Sequence, residues 1–217
     1  GPDVPLLLLG GVGDPAEARD ALALGLEPVV HAAAQAEWLE AAACALDVCA
    51  AVHVEIDTGM RRLGIPAEEA PALFARLSSA GGRLRLAGIS THFACADAPD
   101  PGPSRAQLER FRASLEGARE AGLASASVHV ANSAGLLAAR GWGEELREAD
   151  AVRPGLALYG VAPAPHLLDP ALQPVMTLRT EVAAVRRGAA GGGGGYGDNL
   201  GGPGPRLQQG RAVGQGG

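Results

Sequence analysis

The 217-residue sequence contains no lysine, and all 18 of its basic residues are arginine. No side chain in it can therefore form a lysine Schiff base, serve as a P-loop lysine or act as a lysine general base. Cysteine is scarce as well. Cys44, Cys49 and Cys95 are an odd set without metal-ligand spacing, which argues against a disulfide scaffold or a metal site and favours a reducing, cytoplasmic setting. Apolar runs such as Leu6 to Leu9 fall far short of the ~20 residues a membrane span needs, and no charged leader with an apolar core opens the sequence. Positive charge is also limited: 24 acidic residues face the 18 arginines, for a net charge of −6, and the arginines are scattered. A nucleic-acid partner needs clustered positive charge, so neither nucleic acid nor membrane is the expected partner. What remains is a soluble globular chain, 47% hydrophobic and long enough for one large domain or two small ones.

Short β-type runs alternate with longer helical patterns, the signature of parallel strands joined by crossover helices. Strands are expected at Val4 to Leu9, Pro28 to His31, Val52 to Ile56, Arg85 to Thr91, Ser127 to Val130 and Val152 to Leu158. Helices are expected at Asp14 to Leu24, Ala34 to Leu46, Pro66 to Ser78, Ser104 to Ala121 and Ala134 to Arg140. Asp14 with Pro15 and Glu17 reads as an N-cap, a first-position proline and a capping-box partner. Leu108, Phe111, Leu115 and Ala118 make one apolar stripe on the longest helix. About six β/α units result, too few to close a (β/α)8 barrel. Three regions follow: a partial barrel over 1–165, a linker with the first strand of an antiparallel β domain over 166–190, and a Gly-rich segment over 191–217. The last has too few apolar anchors to fold by itself, so disorder is expected there.

In parallel α/β architectures, ligands bind at the C-terminal ends of the strands. Four of those ends are dense in chemistry: Asp57 to Gly64 (DTGMRRLG), Thr91 to Asp97 (THFACAD), His129 to Leu137 (HVANSAGLL) and Val152 to Gly160 (VRPGLALYG). Singly, each has a structural explanation: Asp57 and Asn132 as caps, His92 as a core histidine, Gly155 as a turn. Their joint position on one face is what points to a site.

These four motifs, in this order and spacing, resemble bacterial alanine racemase, a pyridoxal 5'-phosphate (PLP) enzyme. The match runs from residue 4 to about 197. The resemblance implies a TIM-type (β/α)8 barrel, of which this chain holds about six units, followed by the start of a C-terminal β domain. It also implies a homodimer in the intact family member and alanine as the small-molecule substrate, interconverted between L and D forms for peptidoglycan synthesis. On the same comparison Asn132 and Ser133 open a helix suited to a phosphate, and Ser133 with the backbone of Gly155 and Leu156 holds the PLP phosphate. Arg153 faces the pyridine nitrogen; as a donor only, it leaves that nitrogen unprotonated, which favours proton return to Cα over transamination. His92 links Arg153 toward the catalytic tyrosine. Arg62 contacts the PLP phenolic oxygen and the substrate carboxylate.

Several positions depart from the family pattern. Glu55 stands where many members carry a lysine that becomes carbamylated, and is expected to orient Arg62 as a native carboxylate. Arg61 replaces a common glycine. The family's two acid/base residues, a lysine on the first barrel strand and a tyrosine in a GYADG-like segment, have no counterpart here; Tyr196 is not assigned that role, and Tyr159 is expected to pack beside the barrel. The chain thus reads as an internal fragment, inactive alone. The alternatives are a broader-specificity amino-acid racemase of the same fold, or a noncatalytic PLP-binding protein of the PLP-homeostasis type.

Overall fold

Val52, Val54 and Ile56 alternate with His53 and Glu55 along one strand, and all five are buried. A strand covered on both faces is a central strand of a parallel sheet. In the computed structural model this is β3 (Ala50–Asp57), flanked by β2 (Glu27–Val30) and β5 (Leu84–Ser90). The structure describes residues 4–79, 81–142, 146, 148–177, 179, 181, 185–187 and 207–209. With β1 (Leu7–Leu8), β6 (Ser127–Asn132) and β7 (Ala151–Arg153), the sheet runs in the order β1-β2-β3-β5-β6-β7, every pair parallel. A short β4 (Ile65–Pro66) pairs back onto the end of β3. The expected α/β class and partial barrel are therefore present as a parallel sheet that stops short of closure.

The helices lie between the strands. α1 (Pro15–Ala23) begins where expected: Asp14 Oδ1 accepts the amides of Ala16 and Glu17 at 2.8 Å, and the Glu17 carboxylate accepts Gly13 N–H at 2.8 Å. α2 (Ala33–Leu46), α3 (Ala70–Leu77), α4 (Gly102–Glu120) and α5 (Ser133–Trp142) follow. Leu39, Phe74, Leu108 and Phe111 join Val52, Val54, Ile56 and Ile89 in one continuous core. The register of β5 against β3 shifts between Val52 and His53, leaving Ala87 as an extra residue. That shift lets Leu86 and Ile89, three apart, both enter the helix-side core, while Gly88 and Ser90 fall on the face shared with His53 and Glu55.

Three expectations are corrected, two of them about element bounds. The helix expected from Pro66 begins at Ala70, because Pro66 is taken into β4. The strand expected over Val152 to Leu158 ends at Arg153; Pro154 has no N–H to continue a ladder, and Gly155–Leu158 turns into a short helix, α6. Tyr159 then lies 51% exposed instead of packed beside the barrel.

The chain divides into two compact units, Gly1–Leu172 and Gln173–Gly217. In the second, β8 (Val185–Arg187) pairs antiparallel with β9 (Leu207–Gln209). The remainder of the Gly-rich segment lies outside the described residues, as does Tyr196. Among the described residues no helix is long and apolar enough to cross a membrane.

Candidate functional site at the strand ends

The C-terminal ends of β5, β6 and β7 open onto a cleft of about 380 Å³, within the range of small-ligand sites. His92, Asn132, Ser133, Arg153, Gly155 and Leu156 all line it, together with Met60 from the loop after β3. Six of the eight residues expected from the sequence thus share one cavity. Glu55 and Arg62 are not in its lining. Glu55, 9% exposed within β3, acts electrostatically on Arg153, and Arg62, on the exposed loop after β3, acts on His92.

Asn132 ends β6 and caps α5: its Oδ1 accepts Gly135 N–H at 2.9 Å, and its Nδ2 donates to Phe93 O at 3.3 Å and lies 3.4 Å from His92 Nε2. Capping and lining are therefore one role, since the side chain that closes the helix is held at the cleft floor. Ser133, 5% exposed, accepts the Ala157 amide through Oγ at 3.0 Å. That acceptance leaves the hydroxyl proton to donate elsewhere. A Cβ added at Gly155 would meet nothing within 4 Å, so the backbone there borders open space. Ser133 Oγ and the opening amides of α6, which have no intrahelical acceptor, form a donor set suited to an anion.

Arg153 reaches back from β7 and donates from Nη2 to Thr91 O at 2.8 Å; its Nη1 is buried without a hydrogen-bond partner among the described residues. Burial weakens its hold on the proton, and the negative charge of Glu55 partly restores it. A guanidinium stays protonated regardless, so Nη1 is a permanently charged donor with capacity to spare. His92 is held below the ordinary histidine range, first by burial, then by the charges of Arg153 and Arg62. It is neutral at pH 7.

A second polar group occupies the sheet face beneath. His53 Nε2 meets Glu27 Oε2 at 2.9 Å, and the His53 and His129 rings stack edge to face at 5.1 Å. Burial, then the neighbouring His53 and Arg153, push His129 down to about 4 against the opposing influence of Asp150 and Glu27. Sequence reasoning missed His53, Glu27 and the hydrogen-bonded cluster of Thr58, Thr91 and Gln107. The available signal was polarity in the wrong place: Ser104, Gln107 and Ser114 sit on the same buried face of α4 as Leu108, Phe111 and Leu115.

A parallel α/β sheet with a polar cleft at its strand ends is a barrel-type domain of the kind that binds ligands there. Sequence comparison is more specific. The chain matches the alanine racemase N-terminal domain over residues 1–163. It is 38% identical over 194 residues to an alanine racemase of Synechocystis sp., covering 89% of this chain and 50% of that protein. Among solved structures, alanine racemase from Streptomyces coelicolor superposes with a TM-score of 0.75 at 34% identity, over 94% of this chain and 54% of the other. Alanine racemase from Bartonella henselae with covalently bound pyridoxal phosphate gives 0.71 at 26% identity, over 95% and 54%. The chain belongs to the alanine racemase N-terminal domain family, and it spans about half the length of the curated relatives it matches.

Proposed function

We propose that this chain forms the PLP-binding part of an alanine racemase, an isomerase interconverting L- and D-alanine for peptidoglycan synthesis as a cytoplasmic homodimer. The observation that carries the reading is the convergence of His92, Asn132, Ser133, Arg153, Gly155 and Leu156 on one cleft. The residues present fit the cofactor: an orphaned, buried Arg153 Nη1, a Ser133 hydroxyl with a free proton and an open backbone at Gly155. When bound, PLP supplies an electron-withdrawing ring that stabilises negative charge at the substrate's α-carbon.

The chain's own residues hold and tune. Ser133 and the Gly155 and Leu156 amides bind the phosphate. Arg153, which can only donate, would meet the ring nitrogen and leave it unprotonated, which would favour proton return to Cα. His92, neutral at pH 7, orients and insulates without competing for a proton. Arg62, on the exposed loop after β3, takes the substrate carboxylate as a planar fork. Glu55 supports Arg153 through its charge and stands as the orienting carboxylate for Arg62. No lysine exists in the sequence, so the α-proton transfers are assigned to a lysine and a tyrosine supplied from outside it.

The test is a chimera in which this chain replaces the matching 194 residues of the Synechocystis alanine racemase. Racemisation of alanine by the folded chimera, lost with Arg153→Met, is expected. A folded chimera that binds PLP but leaves alanine untouched refutes the racemase reading and supports a noncatalytic PLP-binding protein. One that racemises larger amino acids in preference to alanine supports the broader-specificity enzyme.

A further inference from the structure

Gln107 lies on the buried face of α4, 3% exposed, with every hydrogen-bonding group of its amide engaged. Nε2 donates to Thr58 Oγ1 at 3.1 Å and to His92 O at 3.0 Å, and Oε1 accepts Ala94 N–H at 2.9 Å. These partners belong to two different loops, one after β3 and one after β5.

The proton order of the cluster follows from its donors. Thr91 Oγ1 donates to Ile56 O at 2.8 Å, so its one proton is committed. In the 2.7 Å contact between Thr58 Oγ1 and Thr91 Oγ1, Thr58 must then be the donor. The chain runs in one direction, from Gln107 N–H to Thr58 O–H to Thr91 O–H to the Ile56 carbonyl. One turn further along α4, Arg110 Nε donates to Thr58 O at 2.7 Å. Gly59 packs directly against this pair: a Cβ there would lie 3.2 Å from Arg110 Nη2 and 3.6 Å from Gln107 Cγ. The Thr91 carbonyl receives Arg153 Nη2 at 2.8 Å, which ties β7 into the same assembly.

We propose that Gln107 is a positioning residue: its amide brackets the loop after β3 to the loop after β5, and so sets where His92 stands relative to Arg62 and Arg153. The functional consequence rests on the proposed function above, but the bracket itself does not. A core glutamine that only filled space would be replaceable by an apolar side chain of similar shape. Such a side chain here would leave the buried Thr58 hydroxyl and the part-buried Ala94 N–H and His92 carbonyl without their shared partner.

The experiment follows the imidazole signals of the five histidines by NMR across pH in the 217-residue chain, in wild type and in Gln107→Met. The charged groups around His92 are Arg153, Arg62 and, in the same cleft lining, Asp97; Asn132 is its polar neighbour. In Gln107→Met the His92 midpoint is expected to rise toward the ordinary histidine value as the ring loses burial and drifts from the two arginines, while His129 keeps its own. Thr58→Val, which cuts the chain at its second link and preserves shape, is expected to move His92 in the same direction by less. An unchanged His92 midpoint in whichever variant folds overturns the proposal, even where stability falls, because lost packing alone would not single out His92. A parallel PLP titration is expected to show about tenfold weaker binding in Gln107→Met, as for loss of one buried polar contact. Failure of the wild-type chain to bind PLP counts against the proposed function alone, since the His92 titration decides the role of Gln107 without it.

Discussion

Gly88 is the position at which one methyl group tests the buried polar face of the sheet. A Cβ built there would fall inside van der Waals contact of His53 Nδ1, 2.7 Å from His53 Cε1 and 3.1 Å from Ser127 O. The His53 ring has little freedom to yield, because it is 4% exposed, bonded to Glu27 at 2.9 Å and stacked on His129. Gly88→Ala therefore either overpacks the site, at about 1–3 kcal/mol, or displaces the ring and breaks a largely buried charged hydrogen bond, at about 1.5–3 kcal/mol. With both contributing, a loss of about 3 kcal/mol is expected in urea-induced unfolding. The companion measurement is a double-mutant cycle. In a His53→Ala background the clash is gone, so adding Gly88→Ala is expected to change stability by less than about 1 kcal/mol. Equal costs in the two backgrounds would refute the claim that Gly88 is glycine because of His53.

Three further outcomes follow from single features. Arg61 has φ +55°, a left-handed conformation that costs an L side chain about 1 kcal/mol, while its amide is held by Asp57 Oδ1 at 3.0 Å; Arg61→Gly is expected to raise stability by about 0.5–1 kcal/mol in chemical denaturation. His129 titrates near 4 when folded against 6.5 when free, so the unfolded chain binds the extra proton first. Its contribution is complete above pH 6.5 and is lost as pH falls toward 4, by at most about 3 kcal/mol; His129→Asn is expected to flatten the stability profile in that window. Arg153→Met is expected to cost about 1.5–3 kcal/mol in chemical denaturation, by removing the charged hydrogen bond to Thr91 O and the cation that acts on buried Glu55, and Glu55→Gln added to it is expected to recover part of that loss without restoring PLP binding.

The elements that sequence made legible are those specified locally. α1 needed only Asp14, Pro15 and Glu17, and the apolar stripe of α4 identified its core side at once. Boundaries failed where a tertiary contact took residues away from their local preference: Pro66 went to β4 because Ile65 and Pro66 could pair with Ile56 and Asp57. The strand expected through Leu158 failed for the opposite reason, since Pro154 carries a stop signal that the apolar run after it concealed. Of the site, the residues at strand ends were legible because parallel topology forces those ends together. Gln107 was overlooked although it falls on the apolar face of α4 beside Leu108 and Phe111, because the local pattern shows that such a glutamine is buried but not that it bridges two loops.

The polar groups that this fold tolerates, and where it tolerates them, bear on the functional reading independently of any family likeness. Core packing alone would place apolar side chains on the inner face of β3, β5, β6 and β7, as it does on the helix side with Val52, Val54, Ile56 and Ile89. Instead that face carries His53, Glu55, Ser90, His129 and Arg153. Those groups have two different kinds of settlement. His53 Nε2 meets Glu27, and Thr58, Thr91 and Gln107 satisfy one another, so these are internal to the scaffold; His53 Nδ1 stays without a partner among the described residues, but it is away from the cleft lining. Arg153 Nη1 is different: it is charged, buried, left without a partner among the described residues, and placed beside Ser133 and Gly155 in the one lining they share. The Thr91 carbonyl and the charge of Glu55 offset part of the cost of desolvating this cation, but nothing among the described residues uses the Nη1 donor. The cost is explained if an acceptor from outside the chain completes the set. An acceptor that also carries an anionic group to Ser133 and the α6 amides fits that requirement, as PLP does with its ring nitrogen and phosphate.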